Sequence, residues 1–265
     1  MAAPKATPGL FVKAYRDRSR NLVKLAKAAS SELAPETVHD LRVTSRRLQT
    51  MTRLLPGRER SSGQVKEFVS ALKTLLKGTS AVRDADTLVQ TLEPYGGVLP
   101  PDFMRSLQME REREAERAQA QIRSFTLLAE SWGRLPRAET RGLTRRSRQR
   151  VKKCGRSLDG VLRVVTDDES KVAELHSLRK QVKKLRYLLE LTPDQPGALA
   201  ALEKWQEELG LIHDLDVAIQ FASDNLTPLR FAKALEALKR RRHLGYLRFC
   251  RECRKDSAVL RSLLG

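Results

Sequence analysis

Eleven prolines divide this 265-residue chain into long stretches that favour helix. The stretches are rich in Leu, Ala, Arg, Lys and Glu, which are strong helix formers, and they lack the alternating runs of Val, Ile and Thr that are typical of strands. Because proline is tolerated in the first turn of a helix but not in its interior, the prolines predict helix boundaries. We expect an all-α chain in which the third and seventh helices can break at Gly78 and Gly210. The eight expected helices cover about residues 9–33, 36–55, 62–93, 101–131, 138–165, 169–192, 197–224 and 228–262.

The sequence also contains an internal repeat. The segment VHDLRVTSRRLQTMTRLL at 38–55 aligns with LHSLRKQVKKLRYLLELT at 175–192, at an offset of 137 residues that pairs His39 with His176. The alignment also pairs basic positions with basic positions and leucines with leucines. One such match alone would be weak evidence for duplication.

A second pair of motifs follows in the same order. RDADTLVQ at 83–90 matches HDLDVAIQ at 213–220, at an offset of 130 residues. Chance rarely produces two matched motifs in one order, so we infer a duplication of about 130 residues. The sequence therefore predicts two four-helix bundles from an internal repeat, comprising residues 1–133 and 134–265.

The first repeated helix has two opposite faces. On a helical wheel with His39 at 0°, five polar positions fall between roughly −80° and 0°, while Leu41, Leu48 and further core-type residues fall between about 120° and 200°. We call the polar face the first ridge; it comprises His39, Arg42, Arg46, Gln49 and Arg53. The matching face of the second copy, the second ridge, comprises His176, Arg179, Lys183 and Arg186.

Each ridge is a line of cations rather than a point. Arg42 and Arg53 are separated by roughly 16 Å along a helix, so the first ridge suits a linear polyanion better than a mononucleotide. Arginine can also grip phosphate oxygens in pairs. Basic residues recur at helical spacing in the helix before each ridge, which predicts a basic groove in each repeat. The candidates on these preceding helices are Arg16, Arg20, Arg148 and Lys152.

The overall charge requires an anionic partner of some kind. Lys and Arg number 51 against 32 Asp and Glu, which gives a net charge of +19. Aromatic residues make up only 5% of the chain, too few for the stacking platforms that grip single-stranded nucleic acids. No apolar run is long enough to span a membrane, and the amino terminus lacks the apolar core of a secretory signal. The three cysteines fit a reducing compartment, so we expect a cytoplasmic protein.

The paired motifs resemble the CHAD family, the conserved histidine α-helical domain. VHDLRVTSRRL, LHSLRKQVKKLRYLLE, RDADTL and HDLDVA carry this resemblance, which extends over roughly residues 5–263. It implies two four-helix bundles related by approximate twofold symmetry, a basic surface or central cleft that binds inorganic polyphosphate, and association with polyphosphate granules. Carried over by position, the implied binding residues are His39, Arg42, Arg46, Arg47, Arg53, His176, Arg179, Lys183, Lys184 and Arg186.

Two departures from the family pattern stand out. Gln49 occupies a position where the family usually has Arg, which lowers the charge of the first ridge. Lys183 and Lys184 keep their charge but lack the guanidinium fork. Family members are often fused to a CYTH-type triphosphatase domain; the sequence contains no match to it, so its activity is not transferred to this chain.

The acidic pairs of the second motif have several interpretations. Asp84 with Asp86, and Asp214 with Asp216, stand two residues apart and therefore point in different directions on a helix. We expect them to buttress the ridges by accepting hydrogen bonds from Arg or His; a metal site and surface capping are the alternatives. Cys250 and Cys253 lack the second pair of ligands that zinc requires, so we expect no metal there.

We therefore predict a non-enzymatic protein that binds inorganic polyphosphate without a cofactor, in the cytoplasm and at polyphosphate granules. A nucleic-acid-binding architectural protein is the first alternative, and a phosphate-metabolism enzyme is the second. The sequence contains no phosphate-binding glycine loop and no Ser-His-Asp motif. Whether His39 and His176 contact the ligand stays open at this point.

Overall fold

The computed structural model describes residues 7–131, 140–192 and 194–261. Within these residues the backbone forms ten α-helices and one 3₁₀-helix (Glu93–Tyr95), and it contains no strand. The predicted all-α fold is therefore confirmed. The helices are α1 (Pro8–Ser31), α2 (Pro35–Thr52), α3 (Gly57–Arg60), α4 (Gly63–Gly78), α5 (Ser80–Leu92), α6 (Pro101–Ser131), α7 (Leu143–Val165), α8 (Val172–Leu189), α9 (Pro196–Asn225) and α10 (Pro228–Arg261).

Proline marks the start of five helices, α1, α2, α6, α9 and α10. The first residues of a helix have no intrahelical partner for their N–H groups, so the N–H that proline lacks costs nothing there. The ring also holds φ near the helical value. The prolines of the sequence therefore mark the residues at which these five helices begin.

The expected break near Gly78 is present and separates α4 from α5. A Cβ atom at Gly78 would overlap Cγ of Gln121 and stand 3.0 Å from its Cβ, so α6 approaches the backbone too closely for any side chain. Thr79 is fully buried at the break, and its hydroxyl donates to the Leu75 carbonyl at 2.8 Å. The corresponding break near Gly210 does not occur, because α9 runs through that position and no neighbour lies within 4 Å of a Cβ there.

The chain divides into two compact units. Of the described residues, the amino-terminal unit comprises 7–89, 105–131 and 140–144. The carboxy-terminal unit comprises residues 90–104, 145–192 and 194–261. The boundary predicted between residues 133 and 134 lies outside the described residues, and the internal repeat and its twofold symmetry stay predictions.

The core of the amino-terminal unit lies where α1 packs against α2 and α2 packs against α4. Leu22, Leu41, Leu48 and Leu72 are fully buried there. Since the buried leucines of α2 occupy one side of the helix, its opposite side is left for polar residues. The core thereby fixes the direction in which the first ridge faces.

The core of the carboxy-terminal unit is built on α9, which packs against both α8 and α10. Trp205 is fully buried, and its ring meets Phe249 edge to face with the centroids 5.9 Å apart. Residues 90–104 add Phe103, whose ring lies 6.0 Å from that of Phe221. Among the described helices, none is both long enough and apolar enough to cross a membrane.

Candidate anion-binding site

The first ridge lies on the side of α2 that faces away from its buried leucines. His39, Arg46 and Arg53 are exposed, and Arg42 is partly buried. Leu41 and Leu48 are fully buried on the other side. The helical wheel therefore describes α2 correctly, with cations along one face and core residues along the other.

Arg42 is held by backbone and side-chain contacts at the break between α4 and α5. Its Nη1 donates to the Leu76 carbonyl at 2.5 Å and to the Thr79 hydroxyl at 2.8 Å. Burial lowers the pKa of Arg42 to about 10; the charges of Arg46 and Arg83 also lower it, while Asp84 opposes them. Arg42 nevertheless stays charged at neutral pH, so it caps α4 and contributes to the positive field of the ridge.

His176 of the second ridge lies against a histidine of the neighbouring helix. The rings of His176 on α8 and His213 on α9 have their centroids 4.1 Å apart. Burial, together with the charges of the neighbouring Arg179, His176, Lys183 and Lys180, lowers the pKa of His213 to about 3. Burial and the same three cations also lower the pKa of His176, against the opposing charge of Asp216.

Arg179 lies between these histidines and an acid. Its Nη2 stands 3.7 Å from Oδ1 of Asp214, and the two side chains are 18% and 32% exposed. Asp214 is the second-unit counterpart of Asp84. In both units the first aspartate of the acidic motif therefore acts on a ridge arginine, through the ion pair of Arg179 and through the electrostatic effect on Arg42.

Arg186 departs from the rest of the second ridge. It is only 9% exposed. Its Nε donates to Gln206 at 2.8 Å, and its Nη1 lies 2.9 Å from Glu190 and 3.6 Å from Glu203. The guanidinium also lies over the ring of Tyr187, 4.9 Å from the centroid. Because its charge is already compensated by two carboxylates, we leave Arg186 out of the candidate site.

The remaining predicted binding residues are spread over four helices. Arg16 and Arg20 are exposed on α1, and Lys184 is exposed on α8. The partly buried ones are Arg47 on α2, Lys183 on α8, and Arg148 and Lys152 on α7.

The second aspartate of each motif holds an arginine that does not belong to either ridge. Asp86 is 2% exposed, and its Oδ1 accepts from Nε of Arg111 on α6 at 2.9 Å. Arg111 also donates from Nη2 to the Leu33 carbonyl at 2.8 Å, in the turn before α2. Asp86 thus ties α5 and α6 to the start of the ridge helix rather than contacting the ridge itself.

The carboxy-terminal unit contains the same arrangement. Oδ1 of Asp216 accepts from Nε of Arg242 on α10 at 2.8 Å. Arg242 donates from Nη2 to the Glu169 carbonyl at 2.8 Å, in the turn before α8. We call each of these triplets a clamp: Asp86, Arg111 and Leu33 form the first, and Asp216, Arg242 and Glu169 the second.

Sequence reasoning did not select three cationic or titratable residues as binding candidates. Arg83 influences the pKa of Arg42, and Lys180 and His213 belong to the charged cluster around His176. The first position of the acidic motif is Arg83 in one copy and His213 in the other, and this matched basic character could have identified both. Lys180 has no basic counterpart in the first copy, since Val43 occupies that position.

The three cysteines are not among the residues of the ridges or the clamps. Cys154, Cys250 and Cys253 are free thiols and are buried. Burial raises the pKa of both Cys250 and Cys253, which keeps them protonated and unreactive. Within the described residues, no three His, Cys, Asp or Glu side chains gather in a group that could hold a metal ion.

Comparisons with known proteins identify the family and the fold of the chain that carries these residues. The model of one protein family, described as the CHAD domain, matches residues 13–223. The crystal structure of the CHAD domain from the plant Ricinus communis is similar over 99% of this chain and 92% of that chain, with a TM-score of 0.61 and 21% sequence identity. At that identity the likeness shows the fold alone. A search of curated proteins returned no match.

Proposed function

The chain belongs to the CHAD domain family, and on that premise we propose that it binds inorganic polyphosphate through the first ridge and through His176, Arg179, Lys180 and Lys183 of α8. Each unit contributes its own basic surface to the binding of the phosphate chain. Phosphate oxygens are the expected contacts, without recognition of any base.

One observation supports this proposal above the others. In each unit, neighbouring cations add to the effect of burial and lower the pKa of a group beside the ridge: Arg46 and Arg83 act on Arg42, and Arg179 and Lys183 act on His213. Crowding of this kind costs free energy in the absence of a counter-charge. An anion that lies along the helix would reduce that cost at several positions at once, whereas a single phosphate would reach only one part of a line of roughly 16 Å.

The decisive experiment compares anions of different length. We expect long-chain polyphosphate to bind far more tightly than diphosphate or ATP in isothermal titration calorimetry at fixed ionic strength. Arg46→Ala combined with Lys180→Ala and Lys183→Ala should weaken binding of the long chain at least about tenfold, because three phosphate-contacting charges are lost. Equal affinity for ATP and long chains would contradict the linear arrangement.

A matched control removes three other exposed cations. Arg113, Arg163 and Lys255 each pair with an acid of their own helix, Glu110, Asp159 and Glu252 respectively. The triple alanine variant changes the net charge by the same amount, and we expect it to retain most of the affinity. Circular dichroism should show the same helical content for both triple variants.

The same proteins test the two alternatives. Competition between duplex DNA and polyphosphate at one salt concentration distinguishes a phosphate-chain binder from a nucleic-acid-binding protein. We propose binding without catalysis; release of phosphate from polyphosphate in the presence of magnesium would contradict this. We also propose a cytoplasmic location at polyphosphate granules, which a fluorescent fusion imaged with and without polyphosphate synthesis would test.

A further inference from the structure

A pocket lies between α2, α3 and α4 of the amino-terminal unit, where the first ridge ends. Its volume is about 320 Å³, near the lower end of the ~300–1,000 Å³ that is typical of small-molecule sites. Four of its lining residues are cations, Arg53, Arg60, Lys66 and Lys73. Among the described residues that line it, none is an acid.

Among the described residues, none of the four cations has an ion-pair partner. All four side chains are exposed, and the described part of the chain contains no ion pair that involves any of them. Glu67 follows Lys66 in sequence but lines a different cavity, together with Gln121 of α6. Four positive charges from three helices thus face one small volume, which is the arrangement expected for a compact, multiply charged anion.

In the carboxy-terminal unit, the equivalent positions carry charges that pair with one another. In the first motif alignment, pocket residues Gln49 and Arg53 correspond to Arg186 and Glu190, and extending the 130-residue offset of the second motif ten residues upstream pairs Lys73 with Glu203. There the two glutamates lie 2.9 Å and 3.6 Å from the guanidinium of Arg186 and compensate its charge. The sequence therefore keeps an open cationic pocket in one unit and fills the corresponding place with an internal ion-pair network in the other.

We propose that the pocket binds the terminal phosphates of a polyphosphate chain whose inner phosphates lie along the first ridge; this inference rests on the proposed function. Arg53 belongs both to the ridge and to the pocket, so a chain on α2 leads into it. An inner phosphate carries one negative charge, whereas a terminal phosphate approaches two near neutral pH. A cluster of four cations that form no ion pair among the described residues therefore suits a chain end, and in the carboxy-terminal unit Glu190 and Glu203 pair with Arg186 instead.

The test uses tripolyphosphate, in which the chain ends dominate, as the probe in calorimetry. We expect one bound tripolyphosphate per protein, and we expect Lys66→Ala with Lys73→Ala to weaken it at least about tenfold. Lys66→Arg with Lys73→Arg should restore binding. Arg105→Ala with Arg123→Ala removes two exposed charges from α6 of the same unit and should leave the affinity within about twofold.

Chains with blocked ends separate an end site from a general phosphate site. Polyphosphate with both terminal phosphates converted to amides should bind wild type as weakly as unmodified polyphosphate binds the Lys66→Ala, Lys73→Ala variant. Equal binding of blocked and free chains, or undiminished tripolyphosphate binding by that variant, would overturn the inference. If folding of the double variant is impaired, Arg60→Gln makes the same test at a single exposed position.

Failure of the proposed function looks different from failure of this inference. If long polyphosphate does not bind wild type, the proposed function fails. Suppose that long chains bind with an affinity that depends on Arg46, but the affinity of tripolyphosphate does not depend on Lys66 and Lys73. In that case the proposed binding along the first ridge is retained and the end site is rejected.

Discussion

At the scale of single residues, the two aspartates of each acidic motif interact with different arginines. Asp84 and Asp214 act on ridge arginines, while Asp86 and Asp216 belong to the clamps. The division follows from helix geometry, because residues two apart point in different directions. The first aspartate is therefore placed to act on the ridge and the second to fix the turn before the ridge helix, while the buttressing role that we expected from sequence stays a prediction.

The clamps predict a specific loss of stability. We expect Asp86→Asn to lower the free energy of unfolding by roughly 1–2 kcal/mol, because Arg111 loses a charged partner that is almost fully buried. Asp216→Asn should cost a similar amount through Arg242. Urea denaturation followed by circular dichroism measures both.

The comparison variant is Glu110→Gln, whose carboxylate pairs with Arg113 on the exposed surface of α6. Exposed pairs of this kind are worth about 0–1 kcal/mol, so its loss should be clearly smaller. Equal effects for Asp86→Asn and Glu110→Gln would show that the first clamp does not hold the turn.

The histidine pair predicts a coupling between protons and ligand. Nearby cations and burial lower the pKa of His213 to about 3 and also lower the pKa of His176. A bound polyanion favours the protonated forms and should raise both values toward the ordinary value of about 6.5. Because the complex then takes up protons, affinity should rise as pH falls below about 6.5.

Side-chain NMR titration of the two histidines, with and without polyphosphate, measures the shift directly. His213→Asn removes one titrating group and should flatten the pH dependence of the affinity. Unchanged histidine titration curves in the complex would argue against a polyanion near this pair.

Some residue-level features follow from sequence, and others need the packing of a second helix. The wheel places Leu41 and Arg46 on opposite faces, and the structure agrees. The helical wheel also places Arg186 on the second ridge, because a wheel considers only the angular positions of residues on α8. Glu203 and Gln206 come from α9, so the burial and pairing of Arg186 depend on a neighbour that no single-helix pattern contains.

At the scale of elements, the two glycines at which the sequence predicts helix breaks have different surroundings. Gly78 lies at the end of α4, where Gln121 occupies the space that a Cβ would take. Gly210 lies within α9 and has open space around it. The sequence alone treats the two glycines alike, since the close approach of α6 is a tertiary contact.

The two glycines should therefore respond oppositely to alanine. Gly78→Ala must displace Gln121 and should destabilise the protein by roughly 1–3 kcal/mol. Gly210→Ala should stabilise it by about 1 kcal/mol, because alanine has the higher helix propensity and meets no obstacle. Thermal unfolding of both variants measures the difference, and a stabilising Gly78→Ala would contradict the packing described at the break.

At the scale of the whole molecule, the net charge of +19 is spread along the chain rather than concentrated in one segment, and α2 and α8 each carry a line of basic residues. Binding of a polyanion to such surfaces releases counterions, so its affinity should fall steeply and linearly with salt on a double-logarithmic plot. Arg46→Ala and Lys183→Ala should each reduce the magnitude of the slope by about one. A slope that is unchanged in both variants would mean that neither cation contacts the ligand.

The path of the chain between the two units has a further consequence. Residues 90–104 belong to the carboxy-terminal unit, where Asp102 pairs with Arg230 at 3.0 Å and Phe103 meets Phe221, yet the chain on either side of this segment belongs to the amino-terminal unit. No single cut can release both units intact. A fragment that stops before Arg145 would leave an aromatic ring without its partner, and the remainder would lack a piece of its core. Gene fusions and split-protein reporters should therefore carry the entire chain as one inseparable module.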